Sequence, residues 1–338
     1  MIKSVQFKNF RVLRDATLPL GRFTLIVGPN GSGKSTALQA FQVVTNPSEL
    51  AFREVVTADL EPQDAPTTVE IILFWGEIYE GIRTVLQWVP NAGSSFRNLR
   101  SSGEALSSNE DQLVRAILAR IRSFSFDSRA IAASVQLHPK VELEQFGGQL
   151  AGVFDRLRDQ EPERFEALNC ELGRWFPEFD RILFDTPSQG HRAFLLRTRK
   201  GQHKIPATAL SQGTLLALTI ITLSYLRHPP SIICLEEPDH GVHPRLLHHI
   251  QEALYRLSYP EDFDENREPV QVIATTHSPY FLDLYKDHPE QIVIAHKTNE
   301  GGRFERLSEQ PHIMEILGDA PLGEVWYSGV LGGVPTEP

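Results

Sequence analysis

The chain has 338 residues, 41% hydrophobic and 22% charged, with a formal net charge of -10. That balance suits a folded protein with a sizeable core, either one large α/β domain or a domain with a second lobe. The negative charge excludes a global electrostatic attraction to nucleic acid or to an anionic membrane.

The N-terminus alternates like a strand from Met1 to Phe7 and lacks the apolar region of a signal peptide. Val5, Phe7 and Phe10 open an array read as strand, turn, strand, glycine loop and helix, in which Phe23–Val27 is a short apolar run of the kind buried in a parallel sheet. Residues 67–75 and 82–89 are two β-rich runs about a turn at 76–81, which suits an antiparallel lobe. Residues 93–108, rich in Ser, Gly and Asn, predict a mobile loop.

Helical patterns follow at 110–122, 149–158 and 162–175, the last with Pro162 in its first turn. No heptad repeat runs through them, so no long coiled-coil arm is encoded. A second strand pair is expected at 181–185 and 192–198. After Ala209 the pattern becomes helix, strand, helix, strand, helix, a parallel α/β arrangement.

The apolar run 215–226 is broken by Thr219, Thr222 and Ser224 and is too short to span a bilayer, so a cytoplasmic protein with no membrane partner is expected. Of the two cysteines, Cys234 lies in an apolar run and reads as a buried small hydrophobe. No CxxC pair encodes a zinc site. The expected organisation is an N-terminal catalytic part over 1–90, a helical insertion over 91–180 and a C-terminal catalytic part over 181–338.

Gly28-Pro29-Asn30-Gly31-Ser32-Gly33-Lys34-Ser35 has the spacing G-x-x-x-x-G-K-[ST], between an expected strand and helix. Glycines let backbone N–H groups converge on phosphates, and a helix N-terminus adds its positive dipole end. Asn30, Gly31, Gly33, Lys34, Ser35 and Thr36 are therefore the expected phosphate contacts. Lys34 would neutralise the β- and γ-phosphates of ATP, and the Ser35 hydroxyl would ligate Mg²⁺.

The apolar run 231–235 ends in Glu236 and Glu237, which a buried strand would place on the edge where α/β sheets bind ligands. Glu236 would hold the metal or its water, and Glu237 would orient and deprotonate the attacking water. The run 272–276 ends in His277, which on the same edge can donate a hydrogen bond to the γ-phosphate or to that water. Ser211, ahead of Gly213, is a natural N-cap for the apolar helix that follows.

The order of these segments is that of ABC-type ATPases: glycine loop, Leu210-Ser211-Gln212-Gly213, apolar strand with Glu236-Glu237-Pro238, then Thr276-His277-Ser278-Pro279. With Phe10-Arg11 and Glu237-Pro238-Asp239-His240-Gly241 the chain resembles the RecF, SMC and OLD-like group of these ATPases. The resemblance implies an ABC-type P-loop α/β fold with a parallel core sheet, an antiparallel β lobe and a short helical insertion. It also implies a homodimer in which Ser211 and Gly213 of one subunit close over ATP held by the other.

On the same resemblance, Asp239 and His240 occupy the D-loop position, and Gln136 is the candidate for a metal-contacting Q-loop glutamine, an ordinary loop glutamine being the other reading. Arg11 reads equally as a phosphate or adenine contact and as a surface arginine. Two departures stand out: the signature is Leu-Ser-Gln-Gly-Thr rather than Leu-Ser-Gly-Gly-Gln, and Glu236 replaces the usual aspartate. The expected role is the ATPase of a DNA-repair or anti-phage defence system, with DNA and a separately encoded nuclease or effector as candidate partners. An ATP-dependent scaffold and a transporter ATPase are the alternatives.

Overall fold

The computed structural model describes residues 1–46, 50–57, 68–299, 301–313, 315, 318 and 320–332. Its strands in chain order are β1 (Ile2–Phe10), β2 (Leu13–Pro19), β3 (Phe23–Val27), β4 (Val69–Trp75), β5 (Ile82–Val89), β6 (Gly93–Arg100), β7 (Ile121–Phe124) and β8 (Val135–Gln136). They continue with β9 (Phe179–Asp185), β10 (His191–Thr198), β11 (Lys204–Pro206), β12 (Ile232–Leu235), β13 (Gln271–Thr276), β14 (Ile292–Thr298) and β15 (Gly301–Arg306). The helices are α1 (Lys34–Thr45), α2 (Phe52–Val55), α3 (Ser108–Leu118), α4 (Ser128–Ala132) and α5 (Leu150–Gln160). After them come α6 (Pro162–Trp175), α7 (Gln212–Tyr225), α8 (Leu247–Ser258), α9 (Pro279–Asp283) and α10 (Leu322–Tyr327). The chain divides into two compact units: Met1–Ser123, Pro230–Leu235 and Val270–Pro338 in the first, Phe124–Pro229 and Glu236–Pro269 in the second.

The first unit holds two sheets. One is antiparallel, ordered β2-β1-β4-β5-β6, with Phe7 opposite both Ala16 and Ile71. Its strands alternate as half-buried strands should: Ile82, Thr84, Leu86 and Trp88 of β5 are buried and the residues between them are not. The one polar member of that set, Thr84, is satisfied by Trp75 Nε1 at 3.0 Å and Asn98 Oδ1 at 2.6 Å.

The other sheet is ordered β15-β14-β3-β13-β12-β7, with β14, β3, β13 and β12 parallel. β3, β12 and β13 are buried at every position, so they show no alternation of buried and exposed residues. Gln271, 1% exposed, ties the N-terminus to this sheet: its amide nitrogen donates to the carbonyls of Ile2 and Gly21, and its oxygen accepts from the Ile2 amide. Cys234 is buried in β12, and burial pushes its thiol up to about 12, opposed by a hydrogen bond with Ser123, which leaves it inert.

The second unit packs α5 and α6 with β9 and β10, and α7 with α6 and α8. α7 is apolar on all sides because it is buried from Leu215 to Tyr225. Its internal hydroxyls are satisfied locally, Thr219 and Thr222 by carbonyls four residues back and Ser224 by one three residues back.

Residues 93–100 correct the expectation of a mobile loop: they form edge strand β6, registered on β5 from Ile82↔Arg100 to Val89↔Gly93. Only Asn98 of β6 is buried, so the strand needs no apolar alternation, and the composition signal is lost. The helix expected at 110–122 instead starts at Ser108, with Ser107 and Glu110 as a capping box, and ends at Leu118, leaving Ile121–Phe124 to pair as β7. Thr67, the first residue of the expected strand 67–75, lies outside the described residues. Among those described, no helix is long and apolar enough to cross a membrane.

Candidate functional site

β3 runs into α1 through Gly28–Gly33, and the path of that loop requires glycine. Gly31 and Gly33 have φ of 77° and 98°, in the left-handed region. A Cβ on Gly33 would also lie 2.5 Å from Leu13 Cδ2, and one on Gly28 would lie 2.3 Å from the Ala295 carbonyl oxygen. Gly33 is the N-cap of α1 and, having no side chain, leaves the helix start without a side-chain cap.

Lys34, 6% exposed, donates from Nζ to the Gly28 and Pro29 carbonyls at 2.8 and 2.9 Å. Its ammonium is therefore already held against the loop that an anion would enter. Asn30 and Ser35 are exposed and Thr36 is half-buried, while Ser32 Oγ is buried with no hydrogen-bond partner among the described residues. A cradle that rejects Cβ atoms, an uncapped helix start and a buried ammonium fit a polyphosphate.

β13 is parallel to β3 with Thr276 opposite Val27, so half-buried His277 follows at the level of Gly28. Ser278 then caps α9 by accepting from the Phe281 amide at 3.3 Å. Arg11, also in the first unit, has a φ of 51°, donates to the Glu54 carbonyl and to Gln39 Oε1, and lies 5.5 Å from the Phe10 ring. Those contacts assign its guanidinium to protein groups.

Glu236 follows β12 and its amide donates to the Phe124 carbonyl at 2.9 Å. Glu237 has a φ of 45°, an uncommon left-handed conformation for a non-glycine residue. Its carbonyl accepts from the His240 amide at 2.9 Å, and its carboxylate lies 3.5 Å from His240 Nδ1. Asp239 belongs to the same turn, its carbonyl accepting from the Val242 amide at 3.2 Å.

Ser211 is exposed and caps α7, its Oγ accepting from the Thr214 amide at 3.1 Å and sitting 2.8 Å from Thr214 Oγ1. Gly213 has a packing reason that sequence reading missed: a Cβ there would lie 2.6 Å from the Gly241 carbonyl oxygen. The signature segment thus sits directly on the turn that follows Asp239 and His240. Gln136 is exposed in β8, where its backbone pairs with His191.

Sequence reading also missed the partners that frame the loop, namely Leu13, Ala295, Lys297 and Gly302. For Lys297 a signal existed, since it follows the apolar run 292–295 just as His277 follows its own strand. No group of three or more His, Cys, Asp or Glu side chains able to hold a metal occurs among the described residues.

Comparison with known proteins agrees with this geometry. The family described as "AAA ATPase domain" matches residues 1–75, and the one described as "AAA domain, putative AbiEii toxin, Type IV TA system" matches residues 96–283, more than half of the chain. An OLD nuclease of Thermus scotoductus is 24% identical over 89% of this chain. The chain spans only 65% of that protein's length.

Among solved structures, the SmcHead bound to the C-winged helix domain of ScpA matches with a TM-score of 0.61 at 16% identity, covering 90% of this chain and 96% of that one. The SMC head domain from Thermotoga maritima matches with a TM-score of 0.52 at 16% identity, covering 90% and 98%. These likenesses show the fold, an α/β ABC-type P-loop ATPase domain of the SMC-head kind. The chain belongs to the family described as "AAA domain, putative AbiEii toxin, Type IV TA system", and it is similar to an OLD nuclease in sequence and to SMC heads in fold.

Proposed function

We propose that this protein hydrolyses ATP to ADP and phosphate and forms a dimer with ATP held between two copies. The observation that carries the reading is the glycine-capped start of α1, where no side chain closes the helix and Lys34 is buried against the loop. Loop amides and Lys34 would bind the polyphosphate, and the Ser35 hydroxyl and Glu236 carboxylate would be the groups to hold Mg²⁺ or its water. When bound, Mg²⁺ would supply neutralisation of the phosphate charge. Glu237 takes the proton of the attacking water, and His277 donates to the γ-phosphate or orients that water. Ser211 and Gly213 close over the nucleotide of the partner copy, Asp239 and His240 couple the two sites, and Gln136 senses the metal.

The biological role proposed is the ATPase of a DNA-repair or anti-phage defence system. Its support is the OLD nuclease relative. The second reading is a nucleotide-dependent switch for a partner effector. The likeness to an SMC head bound to a domain of another protein motivates it.

The test is the solution mass of Glu237→Gln with and without ATP and Mg²⁺, and again with linear double-stranded DNA. An ATP-dependent shift from monomer to dimer is expected, with DNA co-migrating if the repair or defence role is right. ATP binding without any mass change would sink the sandwich dimer. Wild-type protein that dimerises with ATP yet releases no phosphate would favour the switch.

A further inference from the structure

The β14–β15 hairpin lies along the phosphate loop within the first unit. Ala295 meets Gly28, and a Cβ on Gly302 would lie 2.4 Å from the Ser32 carbonyl oxygen. Between these two contacts Lys297 reaches the loop. A Cβ placed on Gly31 would lie 3.8 Å from its Nζ and 3.9 Å from both Cδ and Cε. The end of the stem and the ammonium thus lie beside a glycine of the loop.

The strand register explains how Lys297 gets there. β14 is parallel to β3 with Ile294 opposite Val27, so Lys297 lies three residues past that pair, beyond the C-terminal end of β3. That is the edge where a parallel sheet binds ligands. Lys297 is exposed, and among the described residues its side chain has no ion pair or hydrogen bond. Lys34, by contrast, is buried and spends its protons on the Gly28 and Pro29 carbonyls. One lysine holds the loop from inside, and the other stands at its outer side.

We propose that Lys297 is a second cationic contact, from the same chain, for the polyphosphate of a nucleotide bound in this loop. The proposal rests on the reading of Gly28–Ser35 as a nucleotide site. An ammonium with no carboxylate partner among the described residues raises the local potential where phosphate oxygens would sit. Because it is solvent-exposed, its contribution is smaller than that of Lys34 and sensitive to salt.

The test is equilibrium titration with N-methylanthraniloyl ATP and ADP of wild type, Lys297→Gln, Lys297→Arg and Lys34→Ala at low and high ionic strength. Lys297→Gln is expected to weaken binding about three- to tenfold at low salt, with a flatter salt dependence and an unchanged thermal midpoint. Lys297→Arg should restore affinity to within about twofold, since the charge is kept. Wild-type affinity and salt dependence in Lys297→Gln would overturn the proposal, and so would a loss of affinity matched by a loss of thermal stability in both variants. If Lys34→Ala binds as well as wild type, the nucleotide reading of the loop fails. If Lys34→Ala loses binding and Lys297→Gln does not, only the role of Lys297 fails.

Discussion

Helices α1 and α7 each begin at a motif built from small residues, in different units, and their first turns are closed in opposite ways. α1 starts at Gly33, in a left-handed conformation and without a side-chain cap. α7 starts at Ser211, whose hydroxyl already accepts from the Thr214 amide. At α1 an anion would meet no side-chain cap at the N-cap position. At α7 it would have to compete with the cap or share it. The difference teaches that the same helix-start position is filled by a side-chain cap in one unit and by a glycine in the other.

The largest effect that tests this contrast is at Lys34. Lys34→Ala should weaken ATP binding at least about a hundredfold, because it removes a charge-assisted contact in a buried setting. Near-wild-type affinity in a nucleotide titration would break the assignment of α1 as the ligand-ready end.

Gly33→Ala comes next. It forces an alanine to a φ of 98° and brings Cβ onto Leu13, for an expected loss of about 1–3 kcal/mol in denaturant unfolding. Leu13→Ala in the same chain should relieve the clash but not the backbone strain, so only partial recovery relative to the Leu13→Ala single variant is expected.

Ser211→Ala should remove about 1 kcal/mol through loss of the cap, while Ser211→Asn should keep most of it. Both variants should bind nucleotide as monomers like wild type. A Ser211→Ala chain as stable as wild type would show that the cap seen at α7 contributes nothing.

The smallest effect expected is a pH dependence on the α1 side. Burial lowers the pKa of His296 on β14 below its ordinary 6.5, and nearby Arg303 lowers it further, against the raising effect of Glu305. In the window from about 6.5 down to the depressed folded value, the unfolded chain binds the proton first. Stability contributed by neutral His296 is thus present above about 6.5 and is lost as pH falls through that window. The thermal midpoint should drop on acidification from pH 7.5 to 5, and His296→Gln should flatten the drop.

How much was legible depended on whether a signal is local. The strands 82–89 and 192–198 and the helix 162–175 declare themselves by period, because one face of each is buried. β6 did not, since its one buried residue is a polar Asn98, held by Thr84 and Asp111. Gly213 was readable as a signature residue, but its close approach to Gly241 joins segments 28 positions apart and leaves no mark on spacing. The same holds for Lys297, which meets Gly31 only through the β14–β3 register.

The sequence by itself determined the glycine loop, the apolar strands on either side of it and the serine cap of α7. Each of these follows from the backbone preferences or burial pattern of a few consecutive residues. Tertiary structure decided which groups surround them: Leu13, Ala295 and Lys297 at the loop, Gly241 beneath Gly213 and the left-handed turn at Glu237. Those choices depend on strand order and close packing between distant segments, and neither is written in local period or composition.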